Sequence, residues 1–381
     1  MKKDTNNAIL IYRDRILPPS ETFILEQVKG LQNFYPYFLG SRLVEGLDIP
    51  YEKIIINNGG YLGRMQEIYF KLVGRSPNVE KKLRLINPKL IHAHFGFGGV
   101  LSLELAKLFG IPLLITFHGS DVTIKDHYLK KMSYVHNLYV KKREKIQKYG
   151  TLFIAVSDFI RNKLIEQGYP PNKVIKHYIG VDVEFFSPNL YNNREPIVLF
   201  VGRLVENKGL DYLIKAMREV EKKVLNVKLI IIGDGPLREK YYKLAKENIK
   251  NYEFLGVQSH EKVRLWMNRA KVFCVPSITV ETGASEGFGM VFAEANSMGL
   301  PVVSFKTGGI MEAVSHGETG LLADEKDYKQ LALYIEELLT DNSLWKRYSQ
   351  NGRERVNELF NLKKQTKKLE SIYEEVVNND K

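Results

Sequence analysis

Two basic residues, Arg203 and Lys208, follow the apolar segment IVLFVGR and are of the types that bind a diphosphate. An arginine fork and a lysine point charge together can neutralise the negative charge of a diphosphate. The apolar segment predicts a strand, and GLDYLIKAMREVEKK after it predicts a helix, so both cations would lie at one edge of a sheet. A solvated loop carrying ordinary basic residues fits the same spacing, and spacing alone leaves both interpretations open.

Two glutamates, Glu286 and Glu294, flank the segment GFGMVFA. Gly287 and Gly289 permit a tight turn, and a helix that begins after them would direct its free N–H groups at a phosphate. If the whole segment is helical, Glu294 lies about two turns, or ~12 Å, beyond Glu286. Its carboxylate could there accept hydrogen bonds from ribose hydroxyls. The alternative is a solvent-facing glutamate, which the apolar neighbours on both sides disfavour.

His118 ends the apolar segment PLLITF and precedes Gly-Ser-Asp. Polar residues at a strand end, across a cleft from a phosphate site, can orient a sugar or transfer an acceptor's proton. A lone histidine is more often structural, but the Gly-Ser-Asp favours a functional site. His92 and His94 lie on one face of a strand and suggest a zinc site with His118 or Asp121. No HExxH motif or cysteine framework supports that hypothesis, so no metal is expected.

Short apolar runs alternate with helical periodicity along the whole chain, which predicts an α/β fold with parallel sheets. The proline-marked stretch FFSPNLYNNREP interrupts this pattern. We therefore predict two Rossmann-like, doubly wound domains, residues 1–187 and 188–355, and a C-terminal helix in 356–381 that packs back on the first domain. The strands predicted in the first half are AILIY, YEKIIIN, KLIHAHF, PLLITFHG and TLFIAVS, and the first predicted helix is ETFILEQVKGLQNFY.

The composition is that of an ordinary globular protein, since 44% of the 381 residues are hydrophobic and 26% are charged. The beginning of the chain has an apolar stretch too short for a signal peptide, and no run is long enough for a membrane-spanning helix. A cytoplasmic location is therefore expected. The single cysteine, Cys274 in VFCVPS, is predicted to be a buried strand residue rather than a catalytic thiol.

The formal net charge of +12 indicates an anionic partner. Basic residues cluster with aromatics in YFKLVGR, EKKLRLIN and HYLKKMSYVHNLYVKKREKIQK, segments that could lie on anionic lipid at the inner face of the cell membrane. Solvated helix faces are the alternative. A further alternative that the charge suggests is a nucleic-acid-binding protein. No recognition helix, zinc finger or RNP motif supports it, so only weak nonspecific binding to nucleic acid is expected. NNGGYLG and HFGFGG do not give GxGxxG, which disfavours a nicotinamide cofactor.

Taken together, these segments resemble the family 4 retaining glycosyltransferases of the GT-B fold over nearly the whole chain. The most specific sign is E-x7-E, which Glu286 and Glu294 match within SEGFGMVFAEA. GRLVENKG, KLIIIGDGP, YEFLG, HYIGVDVEFF and GLPVVS are also typical. SETFILEQVKGL, LIHAHFGFGG and TFHGSDVT resemble enzymes of the colanic acid type, which build bacterial exopolysaccharides on lipid-linked carriers.

The resemblance implies an acceptor-binding first domain and a nucleotide-sugar-binding second domain that face each other across a cleft. Arg203 and Lys208 would hold the donor diphosphate, Glu294 the ribose and Glu286 the hydroxyls of the donor sugar. The remaining implied contacts are His118 beside that sugar, Val257 at the base, and the diphosphate contacts from the amides of Phe288, Gly289, Met290 and Val291. Many relatives carry a glycine-rich loop after the first strand, and RILPPSETF in its place puts donor contacts from that loop in doubt. Residues 20–22 of this segment would instead shape the acceptor side.

The implied activity is metal-independent, retaining transfer of a hexosyl group from a nucleotide diphosphate sugar, with uridine diphosphate favoured. The acceptor would be a saccharide or a lipid-linked saccharide in polysaccharide biosynthesis. The donor is a substrate, so no cofactor is expected. Front-face departure and attack is favoured over a covalent intermediate, because no carboxylate nucleophile is evident. The alternatives are a nucleotide-sugar epimerase or a phosphorylase, both of which use the same two-domain architecture.

Overall fold

The computed structural model describes residues 7–18, 21–189 and 194–379. The chain divides into two units: Met1–Gly180 together with Leu362–Lys381, and Val181–Asn361. The sequence places these junctions at 187/188 and 355/356. They differ because Val181 pairs with Asn361 and its N–H donates to the carbonyl of Phe360 at 2.7 Å, which ties both ends of the second unit together.

The first unit is built around a seven-stranded parallel sheet with the strand order β5-β3-β1-β6-β7-β8-β9. Its strands are β1 (Ala8–Tyr12), β3 (Tyr35–Gly40), β5 (Lys53–Ile55), β6 (Ile91–His94), β7 (Leu113–Phe117), β8 (Leu152–Ala155) and β9 (Val174–Lys176). A separate pair joins β2 (Arg15–Ile16) to β4 (Arg42–Leu43). All five residues of β1 are buried, as expected for a central strand covered on both faces.

The helices of the first unit connect these strands as crossovers. They are α1 (Thr22–Lys29), α2 (Gly60–Val73), α3 (Pro77–Ile86), α4 (Gly96–Phe109), α5 (Ser120–Thr123), α6 (Asp126–Met132), α7 (Tyr134–Tyr149) and α8 (Asp158–Glu166). The predicted helix ETFILEQVKGLQNFY is too long. It ends at Lys29, because the aromatic segment YPYFLG forms β3 and pairs in parallel with β1 from Tyr35 onward.

The second unit contains a six-stranded parallel sheet in the order β12-β11-β10-β13-β14-β15. Its strands are β10 (Glu195–Val201), β11 (Lys228–Ile232), β12 (Tyr252–Gly256), β13 (Ala270–Cys274), β14 (Val302–Phe305) and β15 (Gly320–Ala323). Its helices are α9 (Leu210–Val220), α10 (Arg238–Asn248), α11 (His260–Arg269), α12 (Met290–Ser297), α13 (Ile310–Ala313), α14 (Tyr328–Thr340) and α15 (Asn342–Arg355). Cys274 is fully buried in β13, as predicted, and burial raises the pKa of its thiol.

The last helix, α16 (Leu362–Asn379), belongs to the first unit, where it packs against α1. The Tyr373 hydroxyl lies 2.6 Å from Nδ1 of His92, and the Glu370 carboxylate accepts the N–H groups of Gln32 and Asn33 at 2.7 Å. These contacts stabilise the first unit with residues from the far end of the sequence.

The order of strands along the chain reverses between β1 and β6 in one sheet and between β10 and β13 in the other. In open parallel sheets, ligands bind at the carboxyl ends of the strands next to such a reversal. The carboxyl edges of the two sheets are therefore the expected ligand-binding sites. Among the described helices, none combines the length and apolar character needed to cross a bilayer.

Candidate active site

The carboxyl edge of the second sheet brings together four loops from distant parts of the sequence. The N–H of Gly202, after β10, donates to Ile232 O at 3.0 Å, and that of Gly233, after β11, donates to Gly256 O at 2.8 Å. The loops after β10, β11 and β12 are thereby held side by side. The loop after β13 joins them where Ile278 N–H donates to Asn207 O at 2.9 Å.

Lys208 occupies the end of a short 3₁₀ turn, Glu206–Lys208, in the loop after β10. The next residue, Gly209, has φ of 64°, and a Cβ at that position would lie 1.9 Å from Pro276 O. Only glycine therefore allows the loop after β10 to approach the loop after β13 so closely. The ammonium group of Lys208 consequently reaches the carboxylate of Glu286 and donates a hydrogen bond to it.

The Lys208–Glu286 ion pair is partly open to solvent, with 19% and 15% of the two side chains exposed. An ammonium group has three N–H donors. One of these bonds Glu286, which leaves two for an anion. The pair can thus fix the direction of the lysine and still present positive charge at the sheet edge.

The loop that carries Glu286 ends at the N-terminus of α12. Gly289 has φ of 82° at the residue before the helix, and a Cβ there would lie 2.4 Å from the Phe292 ring. The backbone therefore turns sharply, and the first N–H groups of α12, those of Met290 and Val291, lack partners within the helix. Such a helix N-terminus attracts anions. Phe288 is buried and its ring packs against Phe360, which anchors the turn.

Glu294 lies in α12, four residues after its first residue, Met290. The helix begins directly after the glycines, as predicted, but the segment from Glu286 is not helical throughout, so Glu294 is only ~6 Å along the helix and not two turns. The side chain is half-buried, and its carboxylate has no hydrogen-bond partner among the described residues. Burial raises the pKa of Glu294 to about 7. A partly buried carboxylate without donors can accept hydrogen bonds from a ligand's hydroxyls.

Arg203 and Val257 lie at the same sheet edge and are exposed. Arg203 follows Gly202 directly after β10, and within the described parts of the chain it makes no ion pair. Val257 follows the last residue of β12 and exposes 76% of its side chain. An apolar side chain with this exposure can pack against the flat face of a base. Of the predicted residues at this edge, Lys208 and Glu286 are joined by a side-chain hydrogen bond.

The sequence interpretation missed one loop of this edge, the segment after β14. The N–H of Gly309 donates to Glu286 O at 2.9 Å and so supports the backbone beside the ion pair. The hydroxyls of Thr279 and Thr307 lie 3.1 Å apart, and that of Thr279 donates to Ser285 Oγ at 3.3 Å. The sequence indicates this loop, because the segment KTGG follows the strand PVVSF just as GRLVENKG follows β10.

His118 lies in the first unit, at the carboxyl end of β7. Its Nε2 is 3.0 Å from Nδ1 of His94, so that one imidazole N–H donates to the other ring. The rings of Phe23 and Phe95 pack against it with centroids 4.9 and 4.6 Å away. Burial lowers the pKa of His118 to about 3 and places that of His94 well below its ordinary value. Both imidazoles are therefore neutral at physiological pH.

Asp121 holds the loops around His118 in place. Its carboxylate is almost fully buried and accepts the N–H of Gly96 at 2.9 Å and that of Gly119 at 3.1 Å. Its burial raises the pKa, and the bonds from backbone amides oppose that rise. The aspartate of Gly-Ser-Asp thus has a structural role that joins the loops after β6 and β7.

His92 has a structural role, because both of its ring nitrogens are hydrogen-bonded within the first unit. Its Nδ1 bonds the Tyr373 hydroxyl and its Nε2 the Thr116 hydroxyl, both at 2.6 Å. With both nitrogens engaged, His92 has no free atom for the zinc site considered above. In the described residues, no group of three or more His, Cys, Asp and Glu side chains is arranged to hold a metal ion.

Arg13 forms part of the same edge of the first sheet and was not singled out in the sequence, whereas its partner Glu21 lies in the segment RILPPSETF. The guanidinium of Arg13 binds the Glu21 carboxylate with two hydrogen bonds of 2.7 and 2.5 Å. It also lies 4.5 Å from the centroid of the Phe95 ring. The position of Arg13 directly after β1 could have marked it as a residue of this sheet edge. Ser20, in the segment that replaces the relatives' glycine-rich loop, lies outside the described residues.

Two family models match the chain. Residues 45–185 match "Glycosyltransferase Family 4", and residues 182–355 match "Glycosyl transferases group 1". An uncharacterized glycosyltransferase of Methanocaldococcus jannaschii, MJ1178, is 32% identical over 329 residues, which cover 86% of each protein. WcaL of Salmonella typhimurium, named for colanic acid biosynthesis, is 29% identical over 74% of this chain and 70% of its own length.

A solved structure with the same fold is Anabaena Alr3699/HepE, described in complex with UDP and glucose. It superimposes with a TM-score of 0.75 at 20% identity and covers 97% of this chain and all of the other. That likeness establishes the GT-B fold. With the family matches and the identity to MJ1178, it shows that this chain belongs to the glycosyltransferases, with a family 4 domain followed by a group 1 domain.

Proposed function

We propose that this enzyme transfers a hexosyl group from a UDP-sugar to a saccharide or lipid-linked saccharide acceptor in polysaccharide biosynthesis. The observation that carries the proposal is the Lys208–Glu286 pair beside the N-terminus of α12, at the carboxyl edge of the second sheet. A cation, a carboxylate and the N–H groups of a helix N-terminus are the groups that a nucleotide diphosphate sugar requires.

The donor contacts follow from the character of each group at that edge. Lys208 and Arg203 bind the diphosphate, and the amides from Phe288 to Val291 add hydrogen bonds from the helix N-terminus. Glu294 accepts hydrogen bonds from the ribose, and the exposed side chain of Val257 packs against the base. Glu286, directed by Lys208, bonds hydroxyls of the donor sugar. HepE, described with UDP, supports uracil as the base.

The reaction proceeds with retention of the anomeric configuration. The bond between sugar C1 and the diphosphate oxygen breaks, and the acceptor hydroxyl oxygen bonds C1 from the same face. The acceptor proton passes to an oxygen of the departing diphosphate. Lys208 and Arg203 neutralise the charge that develops on that leaving group, which is the task that a metal ion would otherwise perform. We therefore propose that transfer needs no added metal.

His118 contacts the sugar as a neutral imidazole. Because the pKa of His118 is about 3, the ring exchanges hydrogen bonds with hydroxyls and brings no positive charge. Its aromatic neighbours Phe23 and Phe95 form an apolar wall, of the kind that packs against the C–H face of a sugar.

The acceptor class is supported by the name of the relative WcaL, which refers to colanic acid biosynthesis. Colanic acid is a polysaccharide, and the proposed acceptor is accordingly a growing saccharide, free or carried on a lipid. The net charge of +12 supports action at the anionic inner face of the cell membrane.

The test is an acceptor-dependent transfer assay on the purified protein with UDP-glucose, UDP-galactose, UDP-N-acetylglucosamine and GDP-mannose. We expect UDP release that requires an acceptor, persists in EDTA, and yields a product whose anomeric configuration by NMR matches the donor. Conversion of a UDP-sugar to its epimer with no acceptor and no UDP release would instead identify an epimerase. Transfer only from GDP-mannose would overturn the choice of base.

A further inference from the structure

Helix α2 exposes seven large apolar side chains on one face. Their positions repeat with the period of a helix, so that they form one continuous stripe. They are Tyr61, Leu62, Met65, Ile68, Tyr69, Leu72 and Val73, with exposed fractions between 44% and 76%. Single exposed apolar residues are common on proteins, but contiguous apolar surfaces mark interaction sites.

The opposite face of α2 is held in the protein by a buried charge. Glu67 is 3% exposed, and its carboxylate accepts hydrogen bonds from Lys71 at 2.7 Å, Asn57 at 2.6 Å and Arg42 at 2.5 Å. Rotation of the helix to bury the apolar stripe would leave this carboxylate without partners, at a large cost in free energy. The outward direction of the stripe is therefore fixed by the fold.

The surroundings of the stripe are basic. Residues 60–89 contain seven Lys and Arg but only two acidic residues, Glu67 and Glu80. Both carboxylates are already neutralised, Glu80 by two hydrogen bonds from Arg75 at 2.6 and 2.9 Å. Exposed Arg64 on α2, and Lys81 and Lys82 on α3, have no carboxylate partner in the described residues.

We propose that the apolar stripe of α2 is a membrane-docking surface that inserts into the headgroup region of an anionic phospholipid bilayer. A helix of 14 residues is ~21 Å long, shorter than the ~30 Å hydrocarbon core, so α2 would lie in the plane of the membrane. Apolar side chains enter the lipid, and the unpaired cations contact the phosphates. Two tyrosines, Tyr61 and Tyr69, suit the interface, where aromatic rings with a polar end accumulate.

The charge around the stripe favours an anionic lipid surface over a second copy of this chain as the occupant. A second copy would bring the same unpaired cations together, which disfavours a homodimer through this face. The basic helix α7 provides the contrast, because its central Tyr139 is buried and bonded to Tyr169, and its exposed tyrosines, Tyr134 and Tyr149, lie at opposite ends of the helix. Helix α7 therefore offers charge without a comparable apolar stripe. The inference rests on the proposed function for its biological purpose, since it would place a lipid-linked acceptor near the enzyme.

The test compares binding to vesicles of phosphatidylglycerol with phosphatidylcholine and to vesicles of phosphatidylcholine alone. We expect the wild-type protein to co-sediment with the anionic vesicles only. The triple variant Tyr61→Ser, Met65→Ser, Leu72→Ser should bind at least about tenfold less, because the binding strength follows the buried apolar area. The matched control, Lys141→Gln with Lys145→Gln on α7, should retain most of the binding.

A thiol probe reports insertion directly. The one cysteine, Cys274, is fully buried, so Met65→Cys introduces the accessible thiol for an environment-sensitive dye. We expect dye fluorescence at position 65 to rise and shift to the blue with anionic vesicles. The dye on Leu225→Cys, at an 86% exposed position of the second unit, should not change.

Several results would overturn the proposal: no binding of the wild type, equal binding of the triple Ser variant, or a dimer that this variant abolishes without any vesicle binding. All variants are checked by circular dichroism and by transfer to a soluble saccharide, which the Ser substitutions should leave unchanged. Vesicle binding without transfer would count against the proposed function alone, and transfer without vesicle binding against the docking surface alone.

Discussion

The two sheets have the same reversal of strand order, but their carboxyl edges differ in chemical character. The edge of the second sheet carries partly exposed charged side chains, the Lys208–Glu286 pair on glycine-containing loops and Glu294 at the start of α12. The edge of the first sheet carries neutral imidazoles, His94 and His118, packed against aromatic rings, and the charges of Arg13 and Glu21 there neutralise each other in an ion pair. One framework thus supports a charged edge suited to an anion and a neutral edge suited to hydroxyl groups.

The difference arises in the loops rather than in the strands. Gly209 and Gly289 let the backbone of the second unit turn and expose N–H groups. In the first unit, Asp121 occupies the corresponding N–H groups of Gly96 and Gly119 with its own carboxylate. An edge whose amides already bind an internal carboxylate has less capacity for a phosphate, which is why we assign the diphosphate to the second unit.

The largest expected effect is the loss of the charged edge in Lys208→Ala. Removing this cation should lower kcat/KM for transfer by at least ~10²-fold, or ~2.7 kcal/mol, because the charge on the leaving diphosphate is no longer neutralised. Steady-state kinetics on the folded variant measure the effect. The control is Lys240→Ala, an exposed lysine of α10. Unchanged turnover in Lys208→Ala would remove this residue from the site.

The structural role of Asp121 predicts the next effect, on stability. Asp121→Ala leaves two backbone N–H groups, those of Gly96 and Gly119, without acceptors in a buried position. We expect the free energy of unfolding to fall by about 1–3 kcal/mol, measured by urea denaturation. A loss of transfer with full stability would contradict this assignment and make Asp121 a functional group of the neutral edge.

Glu294 predicts an effect that depends on pH. Its pKa of about 7, against an ordinary 4.5, means that ionisation destabilises the folded state increasingly as pH rises from about 4.5 to 7. Glu294→Gln cannot ionise, so its melting temperature should gain on the wild type across that window and level off above it. UDP binding by the variant at pH 8 should be about tenfold weaker, because the carboxylate no longer accepts ribose hydrogen bonds.

The control for the Glu294 experiment is Glu337→Gln, at an exposed glutamate of α14. This substitution should change neither the pH dependence of the melting temperature nor the affinity for UDP. Calorimetry of UDP binding and thermal unfolding between pH 5 and 8 measure both. A constant difference in melting temperature across this range would show that Glu294 titrates normally.

The smallest expected effect is an absence of titration at the neutral edge. Because burial lowers the pKa of His118 and of His92 to about 3, both rings should stay neutral from pH 8 down to pH 5. The unfolded chain takes up protons at these histidines below pH 6.5, their ordinary pKa, whereas the folded protein does so only near pH 3. The free energy of unfolding therefore falls as pH drops from 6.5 toward 3. Nitrogen-15 NMR of the imidazoles measures this. A midpoint near 6.5 for either ring would remove the contrast between the two edges.

Several features could be predicted from the sequence because they depend on local patterns. The α/β class, the central strand AILIY, the helix beginning at Met290 and the burial of Cys274 all follow from periodicity and glycine placement. The end of α1 could not be predicted, because YPYFLG becomes a strand only by pairing with β1. The bond between Lys208 and Glu286 depends on two loops, 78 residues apart, that meet through the close approach at Gly209.

The pairing of imidazoles was likewise beyond the sequence. His92 and His94 lie two residues apart on β6, and the segment IHAHF does not show that one ring bonds Tyr373 of α16 and the other bonds His118, the residue after β7. The exposed stripe on α2 shows the same limit. Its periodicity is that of an ordinary core-facing helix, and only Glu67 on the buried side reveals that the apolar face points outward.

A crystal structure with UDP bound tests the central claim most directly. We expect an oxygen of the diphosphate within about 3 Å of Lys208 Nζ, and another within hydrogen-bond distance of the N–H groups at the start of α12. A nucleotide bound at any other place, or with the Lys208 side chain turned away from the diphosphate, would contradict the account.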